Sequence, residues 1–275
     1  MLVAVNCASN RFFEGDRPYS RGELFRFVRR ASSLGFKGVQ IGPLTDFVPI
    51  EGARLKRLLD DLSVERNVHV GGIYDAERFV SVREEYVKAQ EDVHYGIKLC
   101  RELSSALVSV HPPFFAAGST VREQLRSRAK VRFLELLEEE VEFAGRNHVK
   151  IAVESFCYHP FIFGGLNDFA EFVSKFPREK LGVLLDAGHV YQMGIDLSET
   201  VHKFEGRLLD VHVHDAALDS DYRKATHLPI GKGTIDFQDF VGLLREVGYD
   251  GWLTLEIRGS EEEILQGKEY LESLV

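Results

Sequence analysis

The sequence predicts a single (β/α)8 TIM barrel, and three observations carry this prediction. Short apolar, β-branched runs alternate with amphipathic helical segments, which is typical of a parallel sheet. The alternation repeats eight times, and 275 residues are enough to close such a barrel. Neither glycine-rich phosphate-binding motif of open parallel sheets follows the first run. A doubly wound open sheet is therefore the weaker alternative, and we expect residues 1–275 to form one domain.

The predicted strands are short and follow one another along the whole chain. Their ranges are 2–6, 38–41, 68–73, 106–110, 150–153, 181–185, 208–213 and 252–255. Most of them are apolar on both faces, as expected where a barrel core covers one face and helices cover the other.

Helical segments fill the intervals between these strands. Their ranges are 21–34, 52–66, 80–103, 121–147, 167–176, 237–247 and 261–273, with a short helical piece after the sixth strand. Ser20 and Glu23 have the spacing of a capping box, and Gly35 can end the first helix. Asn167 and Asp236 are the expected N-caps of two later helices.

Composition and charge narrow the class of protein. With 44% hydrophobic and 28% charged residues, the chain is typical of a folded globular protein. The net charge of −9 disfavours nonspecific binding of nucleic acid. Cys7, Cys100 and Cys157 are far apart and odd in number, which favours a reducing compartment. No basic leader and no apolar run near the roughly 20 residues of a membrane span is present, so we expect a cytoplasmic protein. A homo-oligomer is compatible with the sequence, which does not specify the oligomeric state.

The functional signal lies at the C-terminal ends of predicted strands four to eight, where (β/α)8 barrels build their active sites. Five consecutive strands end on or near groups that can bind a metal or move a proton: His111, Glu154, Asp186 with His189, His212 with His214, and Glu256. Carboxylates crowded at one mouth need a cation to offset their charge. A divalent metal with oxygen and nitrogen ligands is the simplest prediction.

Each of these residues alone also has a structural interpretation. A lone His111 or His227 is more often a hydrogen-bonded structural histidine, and Asp186 alone would fit a helix N-cap. We expect His212 and His214 to face opposite sides of their strand, so that only one reaches the mouth. The site hypothesis therefore rests on the joint pattern.

Five motifs in the second half of the chain carry a resemblance to a known family. They are ESF at 154–156, LLDAGH at 184–189, DVHVHDA at 210–216, HLPIGKGTIDF at 227–237 and LTLEI at 253–257. Together they resemble the xylose-isomerase-like TIM-barrel superfamily, which includes sugar phosphate isomerases, ketose 3-epimerases, inosose dehydratase and endonuclease IV. The resemblance implies one divalent metal ion, and it selects His212 over His214. The identity of the metal stays open, because mixed oxygen and nitrogen ligands suit Mn, Co, Mg or Zn. The implied ligands are Glu154, Asp186, His212 and Glu256.

The resemblance also implies a metal-dependent isomerase or epimerase that acts on a small carbohydrate. Glu154 and Glu256 would flank the substrate, one removing a proton to form a cis-enediolate and the other returning it. His189 is expected to contact substrate oxygens. His111 and His227 would bind a phosphate or carboxylate, or hold a second metal together with His189.

One departure concerns the ketose 3-epimerases, which place an arginine a few residues after the strand-seven histidine. Leu218 stands near that spacing here. Arg223 or Lys224 would have to take over the arginine's role. The departure therefore weakens the prediction that the substrate is a free ketose.

A multi-zinc phosphodiester hydrolase resembling endonuclease IV is the second hypothesis. His111, His189 and His227 match three further zinc ligands of that family. Ala225 stands where an aspartate is required, and residues 72–74, the expected end of strand three, hold no histidine. His69 is expected near the start of that strand, on the wrong face, and is interpreted as structural. These departures weigh against the nuclease.

A third hypothesis is a dehydratase of a cyclic polyol ketone, which would follow the same enolate step with loss of hydroxide. A barrel that only binds ligands is the non-enzymatic interpretation, and it would leave the two glutamates without a role.

Overall fold

Eight parallel strands close into a barrel in which each strand pairs with the next and β8 pairs with β1. The computed structural model describes residues 1–7, 21–42, 51–71, 74–115, 123–155, 161–218 and 225–275. The strands are β1 (Leu2–Asn6), β2 (Gly38–Ile41), β3 (Glu65–Val70), β4 (Leu107–Val110), β5 (Lys150–Glu154), β6 (Leu181–Asp186), β7 (Leu208–Val213) and β8 (Trp252–Leu255). The predicted (β/α)8 barrel is therefore confirmed.

Helices surround the barrel. Two of the predicted helical segments, 80–103 and the short piece after the sixth strand, each correspond to two helices in the structure. The helices are α1 (Arg21–Ser33), α2 (Gly52–Asp61), α3 (Ala76–Ser81), α4 (Arg83–Leu103), α5 (Glu123–Arg146), α6 (Leu166–Ser174), α7 (Ala187–Gln192), α8 (Leu197–Lys203), α9 (Phe237–Glu246) and α10 (Glu261–Leu274). Val82 has an extended backbone and separates α3 from α4. The short piece after β6 likewise consists of α7 and α8.

Helix caps agree with the sequence in some places and depart from it in others. The Asp236 side chain accepts from the Asp239 backbone N–H and caps α9, as predicted. The prediction for Asn167 is wrong: α6 begins one residue earlier, and Asn167 Oδ1 accepts a hydrogen bond from Lys203 instead. Ser20 lies outside the described residues. A capping box is present at α10, between Ser260 and Glu263.

The two faces of the strands have different surroundings. Apolar side chains on the outer faces pack against the helices in one large core. A small separate apolar cluster of Leu107, Ala152 and Leu184 lies on the other face of the strands. Hydrogen bonds also join buried polar residues of β1, β2, β7 and β8. The barrel interior is therefore polar beneath the mouth, an arrangement that favours a functional role over packing alone.

The helices pack closely on the barrel at some positions. A β-carbon on Gly96 of α4 would lie 2.4 Å from Cγ2 of Val70 in β3, so only glycine allows this approach. Among the described residues, none of the helices combines the length and apolar character that a bilayer-spanning segment requires.

Candidate metal centre

The C-terminal ends of β5 to β8 bring two glutamates, an aspartate and a histidine to one mouth of the barrel. Glu154 and Asp186 are the last residues of β5 and β6, and Glu256 directly follows β8. The pairing of β6 with β7 places His212 beside Asp186. None of the four side chains is more than 14% exposed, so the site is shielded from solvent.

Carboxylate oxygens gather around Nδ1 of His212. This atom lies 2.9 Å from Oε2 of Glu256 and 3.7 Å from Oδ2 of Asp186. Glu154, Asp186 and His212 each offer one ligand atom, and these atoms lie within 4.8 Å of one another.

Three of the gathered atoms are buried and form no well-directed hydrogen bond within the described part of the chain, although imidazole or carboxylate atoms lie 2.6 to 3.7 Å from them. They are Oε2 of Glu154, Oδ2 of Asp186 and Nδ1 of His212. Buried polar atoms of this kind are costly unless another group satisfies them. Mixed oxygen and nitrogen donors suit a divalent cation, so these residues fit the metal that the sequence implies.

A second cluster adjoins the first through Glu154. The Nε2 atoms of His69 and His111 lie 3.1 Å and 2.6 Å from Oε2 of Glu154. The prediction that His69 lies near the start of its strand and faces away from the site is wrong. β3 begins at Glu65 and ends at Val70, so His69 lies one residue before its end. Strand three therefore does supply a histidine, and one of the two objections to the hydrolase hypothesis no longer holds.

His189, His214 and His227 form a third cluster, with ring centroids 4.2 to 5.0 Å apart. The expectation that His212 and His214 face opposite sides is wrong, because residues two positions apart share one face of a strand. Both rings approach the same carboxylate. His214 Nε2 lies 3.0 Å from Oδ1 of Asp186, on the side away from His212.

Backbone groups contact the ring nitrogens of this third cluster. Nδ1 of His214 lies 3.0 Å from the His227 backbone nitrogen, which donates to it, and 3.2 Å from the Asp215 carbonyl oxygen, while Nε2 of His214 faces Asp186. His227 Nδ1 donates to the Glu256 carbonyl over 2.9 Å, which leaves its Nε2 lone pair available. Asp186 also accepts from the His189 N–H at the start of α7, so it is both an N-cap and a member of the site.

Protonation states at the mouth reflect burial and charge together. Burial alone raises the pKa of Glu154, but His111 and His69 outweigh it and hold that pKa well below its usual value. Burial also raises the pKa of Glu256, but His212 outweighs this effect and lowers that pKa to about 2. Burial lowers the pKa of His227 to about 3. The two glutamates are therefore ionised at neutral pH, the state that carboxylate ligands of a metal need, and His227 is neutral.

Asp215, the last polar residue of DVHVHDA, organises the neighbouring loop. Its carboxylate accepts hydrogen bonds from the backbone N–H groups of Ala216, Gly231, Gly233 and Ile235. A β-carbon on Gly233 would lie 2.3 Å from Oδ1 of Asp215, so glycine is needed there. Asp215 therefore shapes the loop that carries His227 and has no direct place among the ligand atoms.

The structure brings every predicted site residue to the same mouth. These residues are His111, Glu154, Asp186, His189, His212, His227 and Glu256. Phe114 and Phe115, which follow β4, are buried. Phe156, Arg223 and Lys224 lie outside the described residues. Sequence reasoning missed Gln40 and Asp210, whose only signal is a polar residue within a largely apolar strand.

Comparison with known proteins agrees with this architecture. A family model described as "Xylose isomerase-like TIM barrel" matches residues 28–274. An uncharacterized protein of Methanocaldococcus jannaschii is 30% identical over 231 residues, which cover 79% of this chain and 74% of that protein.

Two named relatives match over shorter stretches. A probable endonuclease 4 of Sulfurihydrogenibium sp. is 26% identical over 185 residues, 63% of each chain. An inosose isomerase of Halalkalibacterium halodurans is 27% identical over 173 residues, 58% of each chain.

Solved structures share the fold over the whole chain. A D-tagatose 3-epimerase-like protein has a TM-score of 0.81 at 22% identity and covers 100% of this chain and 97% of its own. D-allulose 3-epimerase from Methylomonas sp., in complex with D-allulose, has a TM-score of 0.80 at 16% identity with the same coverage.

Proposed function

Because the chain belongs to the xylose isomerase-like TIM barrel family, we propose that it is a divalent-metal-dependent isomerase or epimerase of a sugar or sugar phosphate. The observation that carries this proposal is the shielded set of Glu154, Asp186, His212 and Glu256, in which one ligand atom each of Glu154, Asp186 and His212 is buried without a well-directed hydrogen bond. The names of the two similar epimerase structures and of the inosose isomerase relative support a carbohydrate substrate.

Those four residues would hold the ion, and Mn, Co, Mg or Zn suits their donor atoms. When bound, the ion polarises a substrate carbonyl and lowers the pKa of the adjacent C–H bond. His189 and His227 lie on the rim of the same mouth, where their ring nitrogens can meet substrate oxygens. The low exposure of the ligands keeps bulk water away from the reacting carbon.

Glu256 and Glu154 are the proposed acid–base pair. One removes the proton next to the carbonyl to give an enediolate, and the other returns it. Return to the opposite face of the same carbon is epimerisation, and return to the neighbouring carbon is isomerisation. His111 lies 2.6 Å from Glu154, and despite burial its pKa is raised by that carboxylate, so it is placed to reprotonate Glu154.

Glu256→Gln tests this chemistry directly. Wild-type protein loaded with Mn²⁺ should exchange the α proton of a ketose or ketose phosphate with solvent deuterium, as followed by NMR. The variant should bind Mn²⁺ and lose at least about 100-fold in exchange rate. The exposed Glu262→Gln variant is the control and should match wild type. Undiminished turnover by a metal-loaded Glu256→Gln protein would exclude the mechanism.

A multi-metal phosphodiester hydrolase is the second candidate, and the cluster of His69, His111 and Glu154 favours it. This cluster offers ligand atoms for a further ion beside the first, as two-metal hydrolysis requires. The probable endonuclease 4 relative supports the same hypothesis. Ala225 speaks against it, because the third cluster then has no carboxylate from that position.

His69→Gln separates the two candidates. For the isomerase, the variant should keep its one bound metal ion, because His69 is not among the ligands of the first ion. For the hydrolase, it should lose one bound Zn²⁺ and the cleavage of a duplex with an abasic site. Loss of hydroxide from a cyclic polyol ketone, followed by NMR, would instead identify the dehydratase.

A further inference from the structure

We propose that Asp210 acts through Gln40 to position His212 for metal binding, and this inference rests on the proposed metal site. The three residues come from opposite parts of the barrel wall, Gln40 from β2 and the others from β7. All three are completely buried. Together they form a hydrogen-bonded relay across the barrel interior, beneath the ligands.

Asp210 is the end of the relay and is surrounded by donors. Its Oδ1 accepts from the Val211 N–H and from the Thr254 hydroxyl, each over 2.8 Å. Its Oδ2 accepts from Nε2 of Gln40 over 2.9 Å. With donors at both oxygens, the carboxylate acts here as an acceptor only.

This arrangement determines the orientation of the Gln40 amide. Only the NH2 group of Gln40 can face an acceptor, so its oxygen must point the other way. That oxygen receives a hydrogen bond from Asn6 and lies 2.9 Å from Nε2 of His212. Two groups on different strands therefore hold the Gln40 oxygen toward His212.

The orientation of Gln40 in turn sets the tautomer of His212. An amide oxygen only accepts, so Nε2 of His212 carries a proton. In the neutral ring Nδ1 then keeps its lone pair, and this is the atom that faces Asp186 and Glu256. Histidine ligands commonly donate their second ring N–H to an acceptor that orients the ring. Here the orienting acceptor is an amide, and its own direction depends on a buried carboxylate.

A purely structural role explains Asp210 poorly. A buried carboxylate is costly, and an apolar residue would fill the barrel interior at lower cost. The Asn6 amide can either donate or accept, whereas the carboxylate of Asp210 can only accept, so Asp210 is the neighbour that requires the NH2 group of Gln40 to face it. Asp210 and Gln40 are therefore positioning residues that act through His212.

Asp210→Asn and Gln40→Met are the variants that break the relay. In Asp210→Asn, the introduced NH2 group must face another donor, either the NH2 group of Gln40 or the Val211 N–H and the Thr254 hydroxyl. In Gln40→Met, His212 loses the acceptor for its Nε2 proton. Zn²⁺ binding to the metal-free protein is followed through the ¹⁵N signals of the His212 ring, assigned with His212→Gln. Each variant should weaken Zn²⁺ binding at His212 by about 10- to 100-fold. The Nε2–H signal of the Zn²⁺-loaded protein should weaken or shift.

The double exchange Gln40→Glu with Asp210→Asn reverses the relay. The carboxylate introduced on β2 still accepts from His212. The amide introduced on β7 donates to that carboxylate, while its oxygen still accepts from Thr254. This variant should recover Zn²⁺ affinity to within about threefold of wild type, since a carboxylate is an equally suitable partner for a histidine ligand. Thr254→Val removes one donor to Asp210 but leaves the Gln40 and Val211 donors in place. It should lower thermal stability and reduce Zn²⁺ affinity less than either relay variant does.

The outcomes distinguish this inference from the proposed function. Wild-type protein that binds no Zn²⁺ at His212 would overturn the metal site and the relay with it. Wild-type binding with unchanged affinity in both single variants would overturn the relay alone. Failure of the double exchange to recover affinity, with thermal stability equal to that of wild type, would also overturn it.

Discussion

Gly188 lies directly against the imidazole ring of His214. A β-carbon on Gly188 would lie 1.9 Å from Cε1 and 2.1 Å from Nδ1 of that ring. The His214 ring, from DVHVHDA, can therefore occupy this position only because residue 188, in LLDAGH, is a glycine. Their contact keeps the His214 Nε2 3.0 Å from Asp186.

Gly188→Ala should therefore destabilise the protein, although alanine is the better helix former. The methyl group must displace the His214 ring, and overpacking of this kind costs about 1–3 kcal/mol. Chemical denaturation measures the free energy of unfolding. In a His214→Ala background the same change has room and should cost nothing, so the double-mutant cycle should show a coupling of about 1–3 kcal/mol. Additive effects would contradict the contact.

Asp215→Ala should loosen the loop that carries His227. Four backbone N–H groups lose their acceptor, and hydrogen bonds to a charged group contribute about 1.5–3 kcal/mol each where the donors stay buried. Because water reaches part of this loop, we expect a total loss of about 2–4 kcal/mol. The amides of Gly231 and Gly233 should exchange hydrogen faster.

Asp236→Ala is the matched control for that change. It removes the N-cap of α9 and should cost only about 1 kcal/mol. Exchange at Gly231 and Gly233 should remain as in wild type. Equal protection of these two amides in the Asp215→Ala protein would rule out the role assigned to Asp215.

Metal binding should release protons at neutral pH. Burial lowers the pKa of His212, but Glu256 and Asp186 outweigh burial and hold it well above the usual value in the metal-free protein. A metal ion must displace the Nδ1 proton, so apparent affinity should rise by up to about tenfold per pH unit below that pKa. Calorimetry in two buffers of different ionisation enthalpy counts the protons. Equal heats in both buffers would contradict the prediction, and His202→Gln, at an exposed position, should leave the count unchanged.

Gly96→Ala should destabilise the packing of α4 on the barrel. The new methyl group would meet Cγ2 of Val70 at 2.4 Å and Cγ2 of Val108 at 3.1 Å. We expect a loss of about 1–3 kcal/mol. Gly242 of α9 has open space around the same position, so Gly242→Ala should stabilise by about 0.5–1 kcal/mol. The opposite signs of the two changes in thermal unfolding are the test.

The ends of strands four to eight were predictable because each local pattern is strong. An apolar run that stops at Glu154 or Asp186 indicates both the strand and its end, and the barrel fold places those ends together. The same reasoning failed at β3. Its first residues, Glu65 to Asn67, are polar, so the apolar run begins three residues after the strand does. The shifted strand placed His69 at the wrong end.

His214 was misplaced for a different reason. The choice of one histidine from DVHVHDA assumed opposite faces, whereas the strand holds both rings against Asp186. Room for the second ring depends on Gly188, which is 26 positions earlier in the sequence and meets His214 only in the folded chain, where β6 and β7 are neighbours. Gln40 and Asp210 are similar cases, because their hydrogen bond joins residues 170 positions apart.

By itself, the sequence determined the strand–helix alternation, the closed barrel and the mouth at which seven candidate residues meet. Local hydrophobic periodicity and strand-end chemistry carry that information, since both depend on neighbours in the chain. Only the tertiary structure decided which ring nitrogen faces which carboxylate, how many ligand clusters adjoin, and which buried residues orient them. Those properties depend on contacts between strands that are distant in the sequence, and the direction of a single amide or imidazole has no signature in a linear pattern.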